Sequence, residues 1–218
     1  MITLHHLNNS RSQRILWLLE ELGLSYTIKY YQRNPKTLLA PESLKSIHPL
    51  GKSPVLTDGA VTVAESGAII EYLIDQYDTK QQFRPTLGSA QYLAYRYWLH
   101  YAEGSLMPLL LMRLVFDRLG GAPMPWLLRP ISKAIGKGVQ KAYIDQQLAI
   151  HLNFIEQHLA QNNWFALDQF SAADIQMSFP LEAIATQIQT DGKIRQFLNT
   201  IHQRDAYKRA LLKENNDE

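Results

Sequence analysis

The chain of 218 residues is long enough to bury a substantial core. Hydrophobic residues make up 46% and charged residues 19%, and the formal net charge of +2 is too small to argue for nucleic acid or an anionic membrane as a partner. There is no cysteine, which excludes disulfides, zinc–thiolate sites and a cysteine nucleophile, so any thiol chemistry must use a thiol brought by a ligand. The opening Met1-Ile2-Thr3-Leu4-His5-His6 turns polar at once, so no secretory signal is expected. The apolar run from Leu106 to Phe116 is too short to span a bilayer and contains Arg113. The expected location is cytoplasmic.

Ile2 to Leu7 reads as a short strand. Ile15, Leu18, Leu19 and Leu22 then share one helical face, with Gly23 as the stop. Tyr26 to Tyr31 is rich in strand formers. Asn34-Pro35 offers a cap and a first-position proline for a short helix. Val55-Leu56 and Val61-Thr62-Val63 flank Asp58-Gly59, a strong hairpin signal. A helix starting near Glu65 presents Ile69, Ile70, Leu73 and Tyr77. This order of strand-helix-strand, helix, strand-strand-helix predicts a thioredoxin-like α/β domain over residues 1–80.

From Asp78 to Ser89 the chain is polar and contains Pro85 and Gly88, so residues 81–89 read as a linker. Beyond it strand patterns stop, and residues 90–218 predict an all-α helical bundle. Ala90 to Phe116 is helical with a bend expected at Pro108. Later faces are marked by Leu148, Leu152, Ile155 and Leu159; by Ile175, Phe179 and Ile188; and by Ile194, Phe197, Leu198 and Ile201. The segment Gly120 to Gly138 holds three prolines, Trp126 and the bases Arg129, Lys133 and Lys137. The plain expectation is a long connection with a short helix of its own; the alternative is a lid or a surface anchor.

Chemistry concentrates in two places. In the loop Asn8 to Arg14, Ser10 and Gln13 have the spacing of a capping box. The same hydroxyl and the free N–H groups of a helix start can stabilise an anion, and a thiolate held there would ionise below the reference of about 8.5. Further on, Pro54 has no N–H to donate and belongs at a strand start or an edge. An edge strand there would leave Val55 free to pair with an extended peptide, although an edge proline can also serve only to block aggregation. Glu65 and Ser66 at a helix start suit the ammonium and carboxylate of an amino-acid head group, or simply cap the helix. Lys52 could pair with a second carboxylate or stand in solvent. On the helix from Ala90, Tyr92, Tyr95, Tyr97, Trp98 and Tyr101 fall mostly in the core, with Tyr101, Met107 and Met112 as candidates for facing an apolar substrate. His5 and His6 point to opposite faces of a strand and no ligand pattern accompanies them, so no metal is expected.

These stretches together resemble the cytosolic glutathione S-transferases over essentially the whole chain. The resemblance rests on Ser10-Arg11-Ser12-Gln13-Arg14 leading into Trp17-Leu18-Leu19-Glu20-Glu21-Leu22, on Gly51-Lys52-Ser53-Pro54-Val55-Leu56, on Glu65-Ser66-Gly67-Ala68-Ile69-Ile70-Glu71-Tyr72-Leu73, and on Phe170-Ser171-Ala172-Ala173-Asp174-Ile175. It implies a cis Pro54, Val55 bonding the cysteinyl backbone of glutathione, and Glu65 and Ser66 holding its γ-glutamyl end. Lys52 would hold the glycyl carboxylate, with Ser53 beside it in the glutathione-binding stretch. Ser171 and Asp174 would form a buried structural capping box. No tyrosine precedes Tyr26, so the serine-type classes fit: Ser10 is the expected activating hydroxyl, with Ser12 and Asn9 as runners-up. Leu38 and Leu39 stand where some members carry a basic residue, which leaves the second glycyl contact open.

The resemblance implies a homodimeric detoxification enzyme that uses glutathione as co-substrate, holds no permanent cofactor and conjugates the thiolate to small apolar electrophiles. Two alternatives stand beside it. One is a glutathione-dependent peroxidase or disulfide reductase, and the other is a non-catalytic binding or regulatory protein on the same fold.

Overall fold

The computed structural model describes residues 1–35, 37, 39–121, 124–186 and 192–214. It opens with β1 (Ile2–Leu7), α1 (Ser12–Glu21) and β2 (Tyr26–Tyr31), followed by a 3₁₀ turn at Glu42–Ser46, β3 (Val55–Asp58), β4 (Val61–Ala64) and α2 (Ser66–Tyr77). The strands form one mixed sheet in the order β2-β1-β3-β4, with β1 and β2 parallel and the other neighbours antiparallel. This is the thioredoxin-like α/β arrangement. α1 contributes Ile15, Leu16, Trp17, Leu18 and Leu19, all fully buried, and α2 contributes Ile69, Ile70 and Leu73 to the same core. Gly23 ends α1 at φ 64°, and Gly59 turns the β3–β4 hairpin at φ 58°, backbone values that glycine adopts without steric cost.

Two local expectations are corrected. Among the described residues Asn34-Pro35 starts no helix: the Asn34 side chain accepts from the Thr37 N–H at 3.1 Å, which satisfies the backbone in a turn instead. β3 is not an edge strand, because β1 occupies one side of it and β4 the other. The hairpin that the sequence announces places β4 outermost. Any peptide can therefore meet β3 only at its Pro54 end.

The helices that follow are α3 (Ala90–Tyr101), α4 (Met107–Asp117), α5 (Arg129–Val139), α6 (Asp145–Gln161), α7 (Ala172–Ala185), α8 (Lys193–His202) and α9 (Asp205–Glu214). The connection into them is docked rather than loose. Asp78 accepts the N–H groups of Gln82 and Phe83, Phe83 is buried, and its carbonyl accepts from the Ala172 N–H at 2.9 Å. Between α3 and α4 the helix widens into a π turn over Ala102–Leu106, where the Met107 N–H reaches back to Ala102. Pro108 explains it: a proline lacks an N–H and its ring crowds the carbonyl of the previous turn, so the helix loosens just ahead of it.

α7 starts with the predicted capping box: Ser171 accepts from the Ala173 N–H, and Asp174 accepts from the N–H groups of Ser171 and Phe165 at 2.8 and 2.9 Å. Burial pushes the Asp174 carboxyl up, these bonds offset part of the rise, and it settles at about 7. Ile175 is buried on this helix, whereas the predicted neighbour Ile188 lies outside the described residues, as does Leu38.

α9 returns to the first unit and packs on α1. The rings of Trp17 and Tyr207 meet edge to face with centroids 5.0 Å apart, and Arg204 forks onto Glu21 at 2.5 and 2.8 Å. Glu20 receives Arg209 at 2.7 Å, Lys213 at 2.5 Å and the Tyr26 hydroxyl. Burial alone would raise its carboxyl, but the hydrogen bonds from Lys213, Tyr26 and Arg209 outweigh that and hold it down at about 2.

Candidate active site

A cleft of about 250 Å³ opens where the β1–α1 loop, the approach to β3 and the start of α2 face the π turn after α3. Arg11, His48, Leu50, Lys52, Ser53, Pro54, Ala64, Glu65 and Glu103 line it. The Ser53–Pro54 bond is cis. Pro54 stands immediately before β3, where a missing N–H leaves no gap in the ladder. Glu65 enters α2 at φ 72°, a value that a residue with a Cβ rarely adopts. Such a conformation costs of order 1–3 kcal/mol and is characteristic of ligand-binding segments. It leaves the Glu65 side chain exposed at the cleft, while Ser66 behind it is buried.

Ser66 lies between two donors. Arg14 Nη1 and Gln176 Nε2 both approach its oxygen at 3.4 Å, so its own hydrogen is left to donate. Arg14 is fully buried and lies 4.9 Å from the Phe179 ring. Burial lowers its guanidinium to about 10, with Glu103 opposing the fall, so it stays charged at neutral pH. Glu103 sits in the π turn and holds two arginines: Arg14 Nη1 at 2.9 Å and Arg11 Nε at 2.9 and 3.0 Å from its two oxygens. One carboxylate from the helical layer thus ties down both cations of the first loop.

The hydroxyls of that loop form a chain. Ser10 Oγ lies 2.7 Å from Ser12 Oγ and 3.3 Å from Ser53 Oγ, and it accepts the Ser12 N–H at 3.2 Å. Ser12 is fully buried, with its hydroxyl 3.0 Å from His6 Nδ1 and 3.3 Å from both the N–H and the carbonyl of Leu7. Ser53 donates to the His5 carbonyl at 3.1 Å. The Ser10–Gln13 capping box does not form: α1 begins at Ser12, and among the described residues the Gln13 side chain has no hydrogen-bond partner. The Ser10 hydroxyl is engaged with its two neighbouring serines instead.

The structure thus brings Lys52, Ser53, Pro54 and Glu65 to one cleft, with Ser10 directly behind Ser53 and Ser66 behind Glu65. Asn9 is exposed at φ 50°, and Val55 is fully buried at the start of β3. Tyr101 and Met107 do not reach the cleft. Tyr101 bonds His151 through its hydroxyl and packs on Trp98 and Phe154, and Met107 lies in the main core. Their helical stripe is core packing, as it is for Tyr95 and Trp98.

Three polar cleft residues were not site candidates in the sequence: Arg11, His48 and Glu103. Glu103 had a signal, since it is the sole carboxylate between Ala90 and Phe116 and stands just ahead of a helix-disturbing proline. His48, four residues before Lys52, had none beyond that proximity.

A mixed sheet entered through a cis proline, with an acid and a serine opening the next helix and a helical layer closing the cleft, defines a thioredoxin-like domain joined to a helical one. Residues 10–76 match the family profile described as glutathione S-transferase, N-terminal domain. Glutathione S-transferase 3 of Schizosaccharomyces pombe is 42% identical over 184 residues, covering 84% of this chain and 74% of that protein. Glutathione S-transferase 1 of Saccharomyces cerevisiae is 34% identical over 189 residues, covering 84% and 80% respectively. The crystal structure of a glutathione S-transferase from Actinobacillus pleuropneumoniae superposes with a TM-score of 0.82 at 36% identity, over 98% of this chain and 93% of that one. The chain belongs to the glutathione S-transferase family and is an enzyme of that kind.

Proposed function

We propose that the enzyme binds reduced glutathione in the cleft and transfers its sulfur to small apolar electrophiles. Lys52 and His48 receive the glycyl carboxylate, Val55 the cysteinyl backbone, and Glu65 and Ser66 the ammonium and carboxylate of the γ-glutamyl end. The thiol proton leaves to solvent. The thiolate then bonds the electrophilic carbon, and the leaving group departs with the electron pair of its broken bond. In this reading residues 1–80 bind glutathione, 81–89 connect, and the helices from residue 90 onward bound the electrophile on the Glu103 side. A second copy pairs on apolar surface such as Val61, Leu93 and Tyr97, which are exposed. The enzyme works in the cytoplasm, where glutathione is kept reduced.

One observation carries the assignment of the activating group. Ser53 spends its hydrogen on the His5 carbonyl, and Ser12 is enclosed by His6 and Leu7. Ser10, already accepting the Ser12 N–H, is the hydroxyl best able to turn its hydrogen toward a thiolate at the cleft. A hydrogen bond to a charged group contributes about 1.5–3 kcal/mol, or roughly one to two pKa units on the thiol. Ser10→Ala therefore raises the pKa of bound glutathione by that amount, read from thiolate absorbance across a pH titration. An unchanged profile removes Ser10 from the mechanism.

A further inference from the structure

Five exposed large apolar side chains fall between Trp126 and Ile135. Trp126, Leu127 and Leu128 form a short 3₁₀ turn at 73%, 66% and 49% exposure, and α5 follows directly with Ile131 and Ile135 at 60% and 57%. Apolar patches of this kind mark interaction surfaces. What covers this one is indicated by its charge. From Arg118 through Ile144 the sequence contains five bases and no acid, although the whole chain nets only +2. Among the described residues no carboxylate pairs with Arg118, Arg129, Lys133, Lys137 or Lys141.

α5 distributes these groups by helical spacing. Arg129, Lys133 and Lys137 are four residues apart on one flank; Ile131 and Ile135 are four apart on the other. The exposed positions between the flanks are the small residues Pro130, Ala134 and Gly138. The opposite side is fixed to the protein: Gly136 is buried so close to α4 that a Cβ there would stand 2.7 Å from the Phe116 carbonyl oxygen. The helix is therefore held against the fold with its basic and apolar flanks both outward.

We propose that α5 and the Trp126–Leu128 turn dock the enzyme on an anionic lipid surface. The isoleucines, Leu128 and Trp126 enter the headgroup boundary, and the lysines reach the phosphates on their long stems. A protein partner with an acidic groove and a second copy of this chain are the competing occupants. A second copy is disfavoured because the same bases would face each other across a two-fold contact.

The test mixes the full-length protein with phosphatidylcholine vesicles that contain or lack phosphatidylserine, and measures co-sedimentation. The expected result is binding to the phosphatidylserine vesicles alone, weakened by salt, with a blue shift of tryptophan emission that Trp126→Phe removes. Each base near an anionic surface contributes about five-fold in partitioning, so the Lys133→Gln, Lys137→Gln double variant loses about 25-fold while keeping its activity on a soluble electrophile. The proposal is overturned if wild type ignores the anionic vesicles or if the double variant binds them as well as wild type. It is equally overturned if Ile131→Ser with Ile135→Ser changes the sedimentation mass and leaves vesicle binding intact, because a second copy then covers the face.

Discussion

Glu103→Gln tests the logic of the charge network with little change in shape. In the wild-type protein Glu103 is the carboxylate on Arg14 Nη1 at 2.9 Å, and Arg14 is fully buried, with Nε and Nη2 lacking any hydrogen-bond partner among the described residues. Removing one member of a buried pair costs about 3–5 kcal/mol, because the other charge stays in place without compensation. Glu103 is 29% exposed, so water screens part of that, and the expected loss is about 2–3 kcal/mol. With an m-value of about 2–3 kcal/mol/M, the urea midpoint falls by roughly 1 M. The double variant Glu103→Gln, Arg14→Met supplies the decisive comparison. Methionine keeps contact with Phe179 and removes the stranded cation, so most of the lost stability returns. A single-variant loss below about 0.5 kcal/mol, or a double variant less stable than the single, refutes the account of Glu103 as the compensating charge.

Three further outcomes follow from the same geometry. Glu20 is held at about 2 in the folded chain against 4.5 when exposed, so its stabilisation is present above pH 4.5 and is lost as pH falls through 2. The shift corresponds to about 3 kcal/mol, reduced to about 2 because Arg209 and Lys213 are about half exposed; Glu20→Gln should show that deficit in denaturant melts at pH 7 and almost none near pH 2. Glu65→Gly relieves the φ of 72° and raises stability by up to about 1 kcal/mol, while calorimetry with S-methylglutathione shows weaker binding. Gly136→Ala forces the α4–α5 contact apart and lowers stability by about 1–3 kcal/mol in thermal melts.

Much of the fold was legible because short-range rules govern it. Asp58-Gly59 specifies its own hairpin, Gly23 its own stop, and Ser171 with Asp174 its own cap, each within four residues. Strand order is not such a property. β3 reads like an edge because Pro54 precedes it, and only the pairing of β1 across its other side shows otherwise. Ser10 likewise has the spacing of a cap. Its side chain is drawn instead to Ser12 and Ser53, the second of which is 43 residues away. The Glu103–Arg14 pair spans 89 residues, beyond the reach of any periodicity, although an isolated acid in an aromatic helix ahead of a proline was a usable clue. Tyr101 packs on Trp98 and Phe154, and in the sequence an aromatic at helical spacing looks the same whether it faces a cavity or a neighbouring helix.

The seam between α1 and α9 has a consequence for how the chain is made. α1 is complete at Glu21, yet Arg204 and Lys213, which neutralise its acids, lie 183 and 193 positions further along. At ribosomal speeds of about 5–20 residues per second, that interval is roughly 10–40 s. Throughout it Trp17 lacks the ring of Tyr207, and Glu20 and Glu21 lack their cations. A nascent chain stalled before α9 therefore presents an unfinished, acidic helix surface to chaperones, and α1 is closed only when a helix about 190 residues downstream has been made.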